Sequence, residues 1–151
     1  MNLNELLMKH NFITKIMFKD GDDEISKELK IKIMEMRIEM GKIRKQFEED
    51  SQEVANQLMP EGYQQLAQKS NRTEEEEARF KEQTSKLNSE YGAYTAKRGT
   101  EEVTGTHIAD TFTSEEYNEI VSTNGSKDVD INGTKIPGPD FLEILNTLFC
   151  N

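Results

Sequence analysis

The chain has no tryptophan, one cysteine, three prolines and an aromatic share of only 7% among its 151 residues. Each shortage excludes something. A lone thiol, Cys150, cannot close an intrachain disulfide, so the fold must hold without one, as in a reducing compartment or a virion. No apolar run approaches the ~18 residues that span a bilayer. The opening "MNLNELLMKH" lacks the basic stretch and small-residue cleavage site of a signal peptide. A soluble chain is expected, cytoplasmic in its host cell or carried in a virion. Basic residues are also scarce: 19 Lys and Arg face 29 Asp and Glu, for a net charge of −10. Phosphate recognition needs clustered cations that displace counterions, so neither nucleic acid nor an anionic membrane is an expected partner.

What is present is a helix-forming, charged sequence, 34% apolar and 32% charged. That is thin for a compact globule and ordinary for an elongated helical protein. The stretch "LKIKIMEMRIEM", Leu29 to Met40, admits two readings, because apolar and charged residues alternate as in a strand. Spacing decides for helix. Leu29, Ile33, Met36, Met40, Ile43 and Phe47 step by four and three, an a/d stripe. Strand alternation fails at Ile33–Met34, and the composition favours helix. Asp22 or Asp23 is the expected cap, and Glu28 and Lys32 the expected i,i+4 pair. Ile31, Met34 and Ile38 make a second apolar stripe on another face. A helix apolar on two faces lies between two partners.

Pro60 and Gly62 end this helix and reverse the chain. Thr73 and Glu76 form a capping box for a second helix striped by Phe80, Thr84, Leu87, Tyr91 and Tyr94, with Gly99 at its end. The expected architecture is mostly α: a long antiparallel, coiled-coil-like helical hairpin over 22–98, with a small C-terminal α+β cap over 113–151. A linker over 99–112 joins them. Residues 1–19 read as a short helix, Leu3 to Met8, followed by a strand or extended segment. In the cap, Asn132-Gly133 is the preferred type I′ turn, pairing Ile131 with Thr134, Asp130 with Lys135 and Val129 with Ile136. A closing helix spans Phe141–Phe149.

Asp128, Asp130, Asn132 and Gly133 also fit the first half of an EF-hand calcium loop. Pro139 occupies the place of its bidentate acid, however, and Lys135 that of a packing aliphatic, whereas the hairpin needs no exception. "DGDDE" alternates acids too, but Ile25 stands where the loop glycine belongs. His10 and His107 have no second histidine or cysteine at ligand spacing, so zinc and other cofactors are not expected. Neither a nucleophile elbow nor a phosphate loop occurs, and an enzyme is not expected.

The layout resembles small uncharacterised accessory proteins of tailed bacteriophages, on a short N-terminal segment ("MNLNELL"), a charged helical hairpin (Lys27 to Lys97) and an acidic helical tail ("FTSEEYNEIV"). The resemblance implies an assembly role without catalysis, in a homo-oligomer or larger complex. The expected interaction residues are Leu29, Ile31, Ile33, Met34, Met36, Ile38, Met40, Ile43 and Phe47, buried against partner helices. The rival readings are a helical adaptor or chaperone for a client protein, and a calcium-responsive module.

Overall fold

The ambiguous stretch forms one unbroken helix, α2 (Lys27–Leu58). This computed structural model describes all 151 residues. The chain runs α1 (Leu3–Ile13), β1 (Lys19–Asp20), β2 (Asp23–Glu24), α2, α3 (Tyr63–Gln68), α4 (Glu74–Gly99), α5 (Ser114–Thr123), β3 (Val129–Ile131), β4 (Thr134–Ile136) and α6 (Gly138–Phe149). Six helices and two small antiparallel hairpins make it mostly α. No helix is long and apolar enough to cross a membrane.

The chain divides into two compact units, and the boundary falls inside α2. One unit comprises Met1–Arg44 with Glu102–Asn151, the other Lys45–Glu101. This differs from the division expected from the sequence. The N-terminal segment, the first half of α2, the expected linker and the C-terminal cap share one core, because their apolar residues are too few to make separate ones.

In the first unit α1 carries Leu3, Leu6 and Ile13 inward, α2 carries Leu29, Ile33, Met36 and Met40, and α6 carries Phe141, Leu145 and Phe149. All ten are at most 2% exposed, and each such burial is worth about 1.5–3 kcal/mol. Phe12 stacks on Phe141 and Phe112 packs against Phe149, with ring centroids 6.1 and 5.5 Å apart. Buried Asn124 serves the backbone of Met17 in both directions. Its Oδ1 accepts from Met17 N at 2.9 Å, and its Nδ2 donates to Met17 O at 3.1 Å. The end of α5 is thereby fastened to the segment after α1. The start of α6 passes so close to the preceding loop that a Cβ on Gly138 would lie 2.5 Å from the backbone of Gly125.

Several local expectations change. Residues 9–13 continue α1 instead of becoming extended; Asn2 caps the helix through Glu5 N, and Ile13 completes its inward stripe. "DGDD" is the turn of the β1–β2 hairpin, with Gly21 at φ 61°. The α2 start is therefore served by Ser26, whose Oγ accepts from Leu29 N at 3.3 Å, and not by Asp22 or Asp23. Lys32 turns from Glu28 to Glu116, 2.9 Å away, and to Thr111 O. The 99–112 segment is anchored, with Val103 N donating to Met1 O and Ile108 buried. The β3–β4 register is the one expected, with Asn132 and Gly133 at φ 51° and 84° as a type I′ turn requires.

The second unit is the antiparallel helical hairpin. After Pro60, Gly62 takes φ 78° and α3 begins the return. Tyr63 stacks on Phe80 at 5.5 Å, and its hydroxyl meets Thr84 Oγ1 at 2.7 Å. Arg72 lies over the Phe80 ring, 4.2 Å from its centroid, and pairs with Glu77. Thr73 and Glu76 close the expected capping box. Toward the other end Arg98 sits over Phe47 and pairs with Asp50 at 3.0 Å. The stripe residues Phe80, Thr84, Leu87, Tyr91 and Tyr94 are only half-buried. Among the large apolar residues of this unit, Leu66 alone is buried.

Candidate interaction surface

The first half of α2 presents four different edges, and the 100° turn per residue assigns them. Leu29, Ile33, Met36 and Met40 cluster on one edge and lie in the core. One flank belongs to α1 and the segment after it. There Arg37 Nε donates to Ile13 O at 2.9 Å and its Nη2 to Ile16 O at 2.7 Å, while Arg44 reaches Leu7 O and Asn11. Burial, uncompensated by a carboxylate, lowers the Arg37 pKa from its ordinary value.

The opposite flank holds the 105–110 loop. Glu39 Oε1 accepts from His107 N at 2.7 Å and Ile108 N at 2.9 Å, and Oε2 from Thr106 N at 3.1 Å. Desolvation pushes the Glu39 carboxyl up, but these three donors and nearby His107 outweigh it and leave the pKa below 4.5. Gly105 leaves room for this contact, since a Cβ there would collide with the Glu39 carboxylate. His107 Nδ1 lies 3.2 Å from Asp110 and 3.6 Å from Glu35.

The fourth edge is about 160° from the core edge and carries Ile31, Met34 and Ile38. They are 47%, 49% and 54% exposed. Three of the five exposed large apolar side chains therefore fall on one stripe; the others, Met8 and Val121, stand alone on α1 and α5. Isolated exposed apolar residues are ordinary, but a contiguous stripe signals a contact surface. Beside Ile38 a shallow hollow of about 250 Å³ is lined by Glu35, Ile38, Glu39, Lys42 and His107.

The nine expected interaction residues thus separate. Leu29, Ile33, Met36 and Met40 are buried within their own chain, in its core, and are not open to a partner. Ile43 and Phe47 are half-buried, and Phe47 faces Arg98 within the hairpin. Ile31, Met34 and Ile38 remain open. Sequence spacing overlooked Glu39, whose role depends on a loop 67–69 residues away.

The calcium candidates sit otherwise than a calcium loop would need. Asp130 faces Lys135 across the hairpin, and its Oδ1 accepts from Gly133 N at 2.8 Å. No group of three or more His, Cys, Asp or Glu side chains is arranged to hold a metal ion. A hollow of about 430 Å³ is lined by Phe112, Thr113, Ser114, Tyr117 and Cys150 among others. Burial, and then Glu116, push the Cys150 thiol up from its ordinary value. The Tyr117 hydroxyl is spent on Leu142 O at 2.8 Å. No protein-family model, curated protein or solved structure matches the chain.

Proposed function

We propose that this chain is a non-enzymatic interaction protein that docks a helix of another molecule on the Ile31–Met34–Ile38 edge of α2. The observation that carries the reading is the exposed stripe itself, on a helix whose other three edges are all engaged by its own chain. Apolar residues at i, i+3 and i+7 are the spacing by which one amphipathic helix receives another. The resemblance of the layout to tailed-phage accessory proteins suggests that the docking serves assembly, in the host cell or the virion.

A photo-crosslinking residue in place of Met34, introduced in cells that make the protein, tests the reading. One discrete adduct is expected, absent when the crosslinker replaces exposed Glu143 on α6, and lost in the Ile31→Ser/Ile38→Ser variant. Equal adducts from both positions, or an adduct indifferent to the serines, would refute it.

A further inference from the structure

The first half of α2 carries six basic residues: Lys27, Lys30, Lys32, Arg37, Lys42 and Arg44. Four are engaged by their own unit. Lys30 pairs with Glu24, Lys32 with Glu116, and Arg37 and Arg44 donate to backbone carbonyls of α1 and the segment after it. Lys27 and Lys42 are exposed and form no ion pair. These two bracket the apolar stripe, Lys27 one turn before Ile31 and Lys42 one turn after Ile38, on the same edge of the helix. In a chain with ten more acids than bases (29 − 19), both unpaired cations of this segment stand at the ends of its one open apolar face.

That placement argues against a second copy as the occupant. An antiparallel pairing that sets Ile31 against Ile38 also sets Lys27 against Lys42, since both pairs sum to the same number. A parallel pairing sets each lysine against itself. Either way two cations meet at each end, and directly opposed like charges penalise the wrong partner. A helix of a different chain, with acidic residues one turn beyond each end of its apolar trio, meets both lysines with opposite charge.

Resting on the docking face proposed above, we infer that its occupant is an amphipathic helix of another protein with acidic ends, held by Lys27 and Lys42. Two synthetic helical peptides test this with the full-length chain. Both carry leucines at i, i+3 and i+7; one has glutamates a turn beyond each end, the other lysines. By fluorescence anisotropy at low salt the glutamate peptide binds roughly tenfold more tightly, the sum of two exposed pairs gained and two repulsions avoided. The preference shrinks sharply at about 1 M salt, where screening reaches ~3 Å, and reverses in Lys27→Glu/Lys42→Glu.

Equal binding of the two peptides, abolished by Ile38→Ser, would overturn the acidic occupant and leave the docking face standing. A concentration-dependent dimer dissolved by Met34→Glu, with neither peptide bound, would make the second copy the occupant. A monomer binding neither peptide would overturn both readings.

Discussion

Ile33 and Ile38 are the same residue on the same helix, five positions apart, and the structure gives them opposite fates. Ile33 is 0% exposed and Ile38 54% exposed. Truncation of each to alanine therefore separates core from docking face without changing the chemistry of the substitution. Ile33→Ala removes three buried carbons among Leu29, Met36 and their neighbours and leaves a cavity. Large-to-small core changes of this kind cost about 2–5 kcal/mol, which for a chain this long lowers Tm by roughly 4–20 °C. Ile38→Ala loses little buried area in the isolated chain and gains helix propensity, so its effect stays within about 0.5 kcal/mol. Thermal and urea unfolding followed by circular dichroism at 222 nm measures both. Comparable destabilisation by the two variants would mean that the Ile38 edge is covered within the chain, and the proposed surface would be lost.

Glu39→Gln places an amide NH2 where one carboxylate oxygen accepts, so a donor meets a donor at the 106–108 loop; a loss of about 1–3 kcal/mol is expected, and hydrogen exchange at His107 and Ile108 should quicken. The folded Glu39 carboxyl lies below its ordinary 4.5, so its stabilisation is complete above that value and is lost as pH falls through the folded pKa; Glu39→Gln should flatten the acid limb of stability. Glu76, hydrogen-bonded by Lys69 and by the Thr73 backbone, is lowered to about 2. Its NMR titration should be centred there, with the α4 start retained above pH 4.5 and fraying toward pH 2; a midpoint near 4.5 would refute the capping geometry. Gly138→Ala forces a Cβ against the Gly125 backbone and should destabilise by about 1–3 kcal/mol, whereas Gly92→Ala, in open space on α4, should stabilise by up to about 1 kcal/mol.

Local chemistry was legible in the sequence wherever a few adjacent residues decide the outcome. Pro60-Gly62, the Thr73–Glu76 box and Asn132-Gly133 specify a reversal, a helix start and a hairpin through their own backbone preferences, and each occurs where expected. The two stripes of α2 were legible as well, because a 3.6-residue period needs no tertiary information. What periodicity cannot tell is what covers a stripe. Leu29, Ile33, Met36 and Met40 share one core with residues of α1 and α6 that are remote in sequence. The 99–112 segment looked like a linker because its anchors, Met1 O and the Glu39 carboxylate, are remote in sequence. The α1 helix continues through "NFI" because burying Ile13 outweighs the strand propensity of Phe and Ile.

The methionine methyls offer the most direct test, because they sample both faces of α2. With methyl-labelled methionine, a soluble paramagnetic agent should broaden Met34 and Met8, 49% and 53% exposed, and spare Met36 and Met40, both at 0%. Adding the glutamate-ended peptide should then shift and protect Met34 while Met8 stays accessible. A Met34 methyl already shielded in the chain alone, or a peptide that protects Met8 and leaves Met34 open, would contradict the docking face.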